Sequence, residues 1–273
     1  MNVAVLSVDT IKTMSYTDFV GLVAQWNVPP GSYSTLSRWR VFGNITSTST
    51  IFEAATTTGF SLRELALMTG CSGTGVDISE RSVETASDLK NQYAPDANIN
   101  YVTSDALAFN TEQKFSHVIV GAALRFFPDP VEAIEKLTEF LKDDGVFLST
   151  EFYCREPIPE SLVQKARGVF DITVTQEDYK KVMKPYQGLT LLYENRNIPL
   201  LETEEELTHY CKSTIDRFSE EHSEATEEQL QAMYERLMVI KDMSNRLRNY
   251  QGYNVLVHKK DNRYYPRRYT ELF

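Results

Sequence analysis

The chain has 273 residues, of which 42% are hydrophobic and 24% charged, and its formal net charge is −10 at pH 7. These values are typical of a folded globular protein with one large domain or two small ones. The acidic balance argues against a nucleic-acid partner, because phosphate contacts require clustered Lys and Arg. The one basic run, residues 259–269, is expected to be a solvated end.

Cysteine spacing and apolar runs narrow the class of protein further. Cys71, Cys154 and Cys211 are far apart, and no CxxC or Cys/His ligand spacing occurs, so neither a disulfide framework nor a metal site is predicted. The first ten residues lack the basic region of a secretory signal. No apolar run approaches the roughly 18 residues that span a membrane. We therefore expect a cytoplasmic protein without metal, membrane or nucleic-acid partners.

The first predicted elements are two helices, at residues 16–26 and 32–45. Two consecutive prolines separate them, because proline cannot continue a helix. From residue 49 short apolar strands alternate with amphipathic helices, which predicts parallel βαβ units and a doubly wound α/β sheet. The predicted strands cover residues 49–54, 73–78, 98–106, 116–124 and 146–153, and the predicted helices cover 61–70, 79–94 and 129–145.

Beyond residue 153 the alternation loosens. The pattern predicts one or two helices at 159–184, a strand at 189–201, helices at 202–221 and 226–250, and a closing strand at 253–260. The last helix has an apolar stripe, typical of a core contact or a homodimer seam. The stripe consists of Leu230, Met233, Leu237, Ile240 and Leu247.

We expect one structural domain made of four segments. These are an N-terminal helical segment (1–46), a Rossmann-like core (47–153), a helical insert with one strand of the sheet (154–250), and a closing strand with a tail (251–273). In such sheets the ligand lies across the carboxyl ends of the strands, where the strand order reverses.

Two stretches compete for the role of a ligand-binding loop. Residues 53–59 form a turn of small residues between an apolar strand and a helix, so the backbone can approach a ligand near a helix N-terminus. Gly70, Gly73 and Gly75 are richer in glycine, but strand residues follow them directly. We interpret this glycine cluster as a helix C-cap and a turn into the next strand.

The spacing of acidic residues separates the two candidates. Asp77 closes the next strand 18 residues beyond Gly59, about where an acid holds a ribose diol in nucleotide-binding folds. The corresponding acid for the glycine cluster would be Asp96, which precedes a strand instead of closing one. Asp105 closes the following strand. The sequence therefore predicts a nucleotide-type cofactor between residues 53–59 and Asp77.

In this order of elements the sequence resembles the class I S-adenosylmethionine-dependent methyltransferases. The motifs "GTGVDIS", "VTSDA", "FSHVIVGAALRFFPDP" and "DDGVFL" carry the resemblance, which covers residues 47–153. The family's first loop reads acidic-x-Gly-x-Gly-x-Gly, whereas here Ala55 and Thr57 replace two glycines between Glu53 and Gly59. A positive φ at either replacement would be strained. The resemblance implies S-adenosylmethionine as cofactor and an antiparallel last strand.

The resemblance also implies the residues that bind the cofactor. Asp77 stands where the family's acid binds ribose, Ile78 where an apolar residue packs on adenine, and Asp105 where an acid takes the adenine amino group. A simple turn acid is the alternative interpretation of Asp105. The full set of cofactor contacts implied is Glu53, Ala55, Thr57, Gly59, Asp77, Ile78, Asp105, Ala106, Ala122 and Ala123.

The implied reaction is in-line methyl transfer from a sulfonium to a small molecule or a peptide-derived metabolite, driven mainly by positioning and desolvation. In the family, the N-terminal helices and the insert form a lid over the substrate. The substrate contacts expected from this comparison are Tyr33, Trp39, Arg125, Tyr153 and Arg155. A core anchor is the alternative for Trp39, and a surface ion pair for Arg125. No histidine lies in a convincing motif, so no catalytic residue is predicted.

Two other function classes stay open. A repurposed member of the fold, working as a cyclase, an isomerase or a binding module, is compatible with the two missing glycines. A nicotinamide-dependent dehydrogenase is disfavoured because no G-x-G-x-x-G follows the first strand.

Overall fold

The fold is built on a seven-stranded sheet. The computed structural model describes residues 5–260. The strands are β1 (Thr50–Ala54), β2 (Ser72–Asp77), β3 (Ile99–Thr103), β4 (Phe115–Gly121), β5 (Leu141–Cys154), β6 (Thr190–Asn197) and β7 (Gln251–Lys259). Their order across the sheet is β3-β2-β1-β4-β5-β7-β6. The first five strands pair in parallel, and β7 runs antiparallel to β5 and β6. The predicted fold class is confirmed.

Helices cover both faces of the sheet and extend beyond it. Those within the described residues are α1 (Val8–Thr13), α2 (Tyr16–Leu22), α3 (Tyr33–Phe42), α4 (Phe60–Thr69), α5 (Glu80–Tyr93), α6 (Pro130–Glu139), α7 (Glu160–Phe170), α8 (Tyr179–Val182), α9 (Glu204–Glu221) and α10 (Glu227–Leu247). Short 3-10 helices lie at Leu124–Phe126 and Lys184–Gly188. Helix α1 was not predicted from the sequence, because its six residues are too few to show a period.

The prediction that the helix after β4 runs to Gly145 is wrong. Helix α6 ends at Glu139, and Leu141 already pairs with Phe115 of β4. The register then shifts, and residues 142–145 bulge out before the regular pairing resumes. The apolar residues Leu137 and Leu141 continue the helical spacing, so local periodicity alone could not show that strand pairing takes over here.

The carboxyl ends of β1, β2, β3 and β4 lie at one edge of the sheet. The order reverses between β1 and β4, because β2 and β3 lie on one side of β1 and β5 lies beyond β4. Ala54 pairs with Val120, and Val120 pairs with Ser149, so these three residues mark one level across the sheet. This reversal point is where a doubly wound sheet places its ligand.

Two apolar clusters pack on the two faces of the sheet, and a third lies beside it. One face carries α3 and α4, and the other carries α6 together with the Lys184–Gly188 helix. The third cluster joins α1 and α2 to α9 and α10. Most of the stripe on α10 is buried within the chain, in this cluster or a neighbouring one, which accounts for it as core without a second copy.

Several expectations fall at the chain ends. Residues 261–273, which include the predicted tail and most of the basic run, lie outside the described residues. Between residues 5 and 260, no helix is both long and apolar enough to cross a membrane. Over the same range, no cluster of three or more His, Cys, Asp and Glu side chains is arranged to hold a metal ion.

Candidate active site

The loop after β1 has a backbone that suits glycine at three positions. Ala55, Thr57 and Gly59 have φ values of 53°, 47° and 71°. This left-handed region is ordinary for glycine, but for a β-branched residue such as Thr57 it is an outlier that costs roughly 1–3 kcal/mol. The loop therefore keeps the shape of a three-glycine turn although two of the glycines are absent.

Three threonine hydroxyls hold this loop in place. Thr56 Oγ1 donates to Glu53 Oε2 at 2.5 Å, and Thr58 Oγ1 donates to the carbonyl of Gln25 at 2.7 Å. Thr57 Oγ1 accepts from the side-chain amide of Asn27 at 3.2 Å. These bonds offset part of the backbone strain.

Glu53 is a buried carboxyl group beneath the loop. Burial raises its pKa to about 7, while hydrogen bonds from Thr56, Ser61 and the backbone of Leu62 act in the opposite direction. The nearby charge of Asp77 raises the pKa further. Glu53 therefore exchanges a proton close to neutral pH.

Asp77 joins the end of β2 to the loop after β1. Its Oδ2 accepts from the backbone N–H of Thr57 and its Oδ1 from the backbone N–H of Ser79, both at 2.9 Å. The side chain is buried, and burial raises its pKa although the N–H bonds lower it. The structure thus brings together the loop and the acid that the sequence spacing paired.

The next strand end provides an exposed apolar side chain and a second acid. Ile78, directly after β2, is 75% exposed. Asp105 follows β3, the neighbour of β2, and its carboxylate is exposed with one oxygen accepting from the N–H of Leu107 at 2.8 Å. Ala106 beside it is buried. An apolar surface next to an exposed carboxylate suits a flat heterocycle with an amino group.

The segment after β4 completes this edge of the sheet. Ala122 has a φ of 61° and is partly exposed, and Ala123 is buried. Arg125, in the Leu124–Phe126 helix, forms an ion pair with Glu177 at 2.5 Å. The ion-pair alternative for Arg125 is therefore realised, although more than a quarter of its side chain is exposed.

The other expected substrate contacts are dispersed. Trp39 is fully buried in the cluster under α3, so the structure favours its interpretation as a core anchor. Tyr33 is 45% exposed and donates to Glu64 at 3.0 Å, on the same face as α3 and α4. Tyr153 is half-buried at the end of β5, and Arg155 is exposed just beyond it. Arg125 and Tyr153 thus lie near the carboxyl edge, while Trp39 does not reach it.

The glycine cluster has a structural role. Gly70 is the C-cap of α4, with a φ of 75°. Gly73 and Gly75 lie within β2, where a Cβ would come within 2.5 Å of the Ile51 carbonyl and within 2.7 Å of Tyr101. Close packing requires these glycines, and the interpretation as a helix C-cap leading into the next strand is confirmed, with Gly73 and Gly75 in the strand itself.

A segment from the N-terminal region crosses the edge of the sheet at the reversal point. Asn27 donates from its backbone to the Thr58 hydroxyl and from its side chain to the Thr57 hydroxyl. The Gln25 carbonyl accepts from the Thr58 hydroxyl. Pro29 lies next to Gly121 at the end of β4. Arg217 of α9 donates to the carbonyl of Ala24 at 2.9 Å. The segment therefore links the loop after β1 to the helical insert.

Sequence reasoning missed a polar cluster at the end of β5. Glu151 is buried, and its Oε1 accepts from the hydroxyl of Tyr186 at 2.8 Å. Asn254 of β7 accepts from the N–H of Glu151 at 2.8 Å. The signal in the sequence was the single charged residue of the stretch "FLSTEFY".

The arrangement as a whole fits an adenosine-containing sulfonium cofactor. Asp77 is bonded to the glycine-like loop, and the exposed Ile78 and Asp105 suit a purine. A doubly wound sheet of this order, with β7 antiparallel and acids at the ends of β2 and β3, is the arrangement that the resemblance to the S-adenosylmethionine-dependent methyltransferases implies.

Comparison with known proteins agrees. A family model described as a methyltransferase domain matches residues 45–189, more than half of the chain, and the chain belongs to this methyltransferase family. Its cofactor is S-adenosylmethionine. No curated protein sequence matches the chain.

Solved structures share the fold. The MccD protein is 25% identical, with a TM-score of 0.70, and the match covers 86% of this chain and all of MccD. A Haemonchus contortus phosphoethanolamine N-methyltransferase 2, solved with phosphomonomethylethanolamine and S-adenosylhomocysteine, is 15% identical with a TM-score of 0.65, over 94% of this chain and 61% of that one. The [4+2]-cyclase SpnF is 14% identical with a TM-score of 0.59, over 83% and 79%.

Proposed function

We propose that this methyltransferase transfers the methyl group of S-adenosylmethionine in line to a small molecule or a peptide-derived metabolite. The observation that carries the proposal is the hydrogen bond from the Thr57 N–H to Asp77 Oδ2. It joins a glycine-like loop to an acid at the point where the strand order reverses, which is the geometry needed to hold an adenosine.

Each candidate residue has a role in this proposal. Asp77 would accept the ribose hydroxyls with its remaining lone pairs, because each carboxylate oxygen can accept more than one hydrogen bond. Ile78 would pack on adenine, and Asp105 would accept from the adenine amino group, with Ala106 behind it. The backbone of Glu53, Ala55, Thr57 and Gly59 would pass beside the cofactor, and Ala122 and Ala123 would flank its methionine part.

The cofactor supplies an activated methyl group with a good leaving group, so the chain contributes binding, orientation and exclusion of water. We infer that the N-terminal helices and the insert act together as a lid. Their support is the shared apolar cluster of α1, α2, α9 and α10 and the segment that crosses the edge of the sheet. Among the expected substrate contacts, Arg125, Tyr153 and Arg155 are near the strand ends, and Tyr33 lies on the α3 side.

A small acceptor is consistent with the fold match to the Haemonchus contortus enzyme, which was solved with phosphomonomethylethanolamine.

Isothermal titration calorimetry with S-adenosylmethionine and, separately, NAD tests the cofactor assignment. Heat is expected with the sulfonium compound and none with NAD. The absence of heat with S-adenosylmethionine at millimolar concentration would reject the proposal.

A second candidate is a repurposed member of the fold. The side chains of Ala55 and Thr57 stand where the family has glycines, and the cyclase SpnF shows that a protein with this fold can have a different activity. If this candidate is right, S-adenosylmethionine binds without being consumed when the natural substrate is converted. Mass spectrometry of the cofactor before and after conversion separates the two candidates.

A further inference from the structure

Glu151 is a fixed, buried carboxyl group at the carboxyl end of β5. Its side chain is only 3% exposed, and Tyr186, from the Lys184–Gly188 helix of the insert, donates to its Oε1 at 2.8 Å. The Tyr186 ring stacks on His258 of β7, with centroids 4.7 Å apart and planes within 8°. Asn254 holds the backbone of Glu151 from the neighbouring strand. The insert and β7 thus fix one orientation of this carboxyl group.

The register of the sheet places Glu151 beside the reversal point. Thr150 pairs with Gly121, the last residue of β4, so Glu151 stands level with Ala122. Adjacent strands lie about 4.8 Å apart, so the backbone of Glu151 is one strand spacing from the segment after β4 and roughly 10 Å from the loop after β1. This is the side of the edge where the methionine part of the cofactor is proposed to lie, away from the acids that face adenosine.

Tyr186 and Arg125 act on Glu151 from other elements, and His258 stacks on Tyr186. Burial raises the pKa of Glu151 to about 7, while the Tyr186 hydrogen bond and the positive charge of Arg125 lower it. Burial and the Glu151 charge raise the pKa of Tyr186 well above its usual value, and burial lowers the pKa of His258 to about 3. Arg125 is itself paired with Glu177. Tyr186 therefore stays a donor and His258 stays neutral, and Glu151 is the member of this cluster suited to take up a proton near pH 7.

We propose that Glu151 accepts the proton of the methyl acceptor and that Tyr186 is its positioning residue. This inference rests on the proposed function. As the lone pair of the acceptor atom bonds to the methyl carbon, the carbon–sulfur bond leaves its electron pair on sulfur, and the proton of the acceptor moves to Glu151 Oε2. No hydrogen bond within residues 5–260 engages Oε2. Charge balances, since one sulfonium charge is lost and one carboxylate is neutralised.

The inference also defines the substrate class. The acceptor atom must carry a proton, as in a hydroxyl or a primary or secondary amine. A tertiary amine or a thioether has no proton to transfer and gains nothing from Glu151. Tyr186 occupies Oε1, and Ala122 and Arg125 lie on the side of the neighbouring strand β4, so we expect the acceptor to approach from that side.

The test measures the charge of Glu151 without needing the acceptor. Protein labelled with carbon-13 at the glutamate carboxyl carbons is titrated by NMR, once with S-adenosylmethionine and once with S-adenosylhomocysteine. The two ligands differ in the methyl group and the positive sulfur. In Glu151→Gln, the side-chain amide oxygen can still accept from Tyr186, and the resonance that disappears from the spectrum is that of Glu151. A second resonance is expected to titrate near pH 7, and Glu53→Gln assigns it to Glu53 in the same way. Tyr186→Phe gives an independent assignment, because it removes the bond that lowers the pKa of Glu151 and raises only that midpoint.

The expected result is a Glu151 midpoint near pH 7 that falls by roughly 0.5 to 1 pH unit when S-adenosylmethionine replaces S-adenosylhomocysteine, the scale of a partly screened unit charge roughly 6 Å away. Equal midpoints with the two ligands, or no titration of this resonance between pH 5 and 9, would overturn the inference alone. Absence of any calorimetric binding of either ligand to the wild-type chain would overturn the proposed function and the inference with it.

Discussion

On the β2–β3 side of the reversal point, the polar groups come from residues close together in the chain, with Asp77 only 20 positions from Thr57. On the β4–β5 side, Arg125 pairs with Glu177 across 52 positions and Glu151 with Tyr186 across 35. In the first half, the contact between loop and acid lies within one βαβ unit, although Gln25 and Asn27 also hold the loop. The second half exists only when the insert packs on the sheet. The half with the predicted cofactor acids is thus encoded more locally, and the half proposed to contact the substrate is assembled from distant segments.

If Trp39 is a core anchor, helix α3 contributes to neither half of the sheet edge. We expect Trp39→Ala to lower the free energy of unfolding in urea by about 3–5 kcal/mol, because it removes a fully buried aromatic side chain. Affinity for S-adenosylhomocysteine should stay unchanged in the protein that remains folded. The matched control is Tyr33→Ala on the same helix, where an exposed side chain is lost and the cost should be below about 1 kcal/mol. A small effect of Trp39→Ala would return α3 to the candidate site.

The two halves share one property, since each contains a buried glutamate whose pKa is raised to about 7. Because this pKa exceeds the usual 4.5, the folded state holds these protons more tightly than the unfolded chain. Stability is therefore expected to fall as the pH rises from about 4.5 to about 7, by up to about 3 kcal/mol per carboxyl group.

Glu53→Gln and Glu151→Gln should each flatten this pH dependence and raise stability at pH 8 relative to pH 5. Urea unfolding at several pH values measures the effect, with the exposed Glu156→Gln as control. If the unfolding free energy of either variant depends on pH as strongly as that of the wild type, the corresponding carboxyl group does not hold a proton at neutral pH. The two halves would then not share a buried, protonated glutamate.

The loop after β1 lies in the half with the predicted cofactor acids, and its positive φ values predict backbone strain. Ala55→Gly and Thr57→Gly should each raise the unfolding free energy by up to about 1 kcal/mol, because relief of the positive φ outweighs the greater freedom of glycine in the unfolded chain. Thr57→Gly gains less, since it also loses the bond from Asn27. Thr56→Gly is the matched control, because its φ is not positive and it should destabilise the protein. A loss of stability in all three variants would mean that the loop is not strained.

Much of the fold was predictable because it depends on local signals. The alternation of strands and helices predicted the sheet, and Gly70 caps α4 as expected. The separation between Gly59 and Asp77 paired the loop with the acid, because the carboxyl ends of the two strands of one βαβ unit lie at the same edge of the sheet. The missing glycines predicted the strain now seen at Ala55 and Thr57.

What could not be predicted depends on tertiary contacts. The end of α6 was missed because Leu141 continues the helical spacing but pairs with β4. The pairing of Glu151 with Tyr186 has no sequence signature, since it forms only when the insert folds back on β5 and β7. Trp39 could be a core or a substrate residue by pattern alone, and only its complete burial favours the core.

The central claim is that the cofactor lies beside the loop after β1 and Asp77, not over the glycine cluster. Calorimetry with S-adenosylhomocysteine on Asp77→Ala and Asp77→Asn tests it directly, with Asp96→Ala as the control because Asp96 is the exposed acid that the glycine cluster would use. Both Asp77 variants should bind roughly 10- to 100-fold more weakly, the scale of lost hydrogen bonds to a charged group, and Asp96→Ala should bind as the wild type does. Unchanged affinity in folded Asp77 variants, or a loss in Asp96→Ala, would contradict the account.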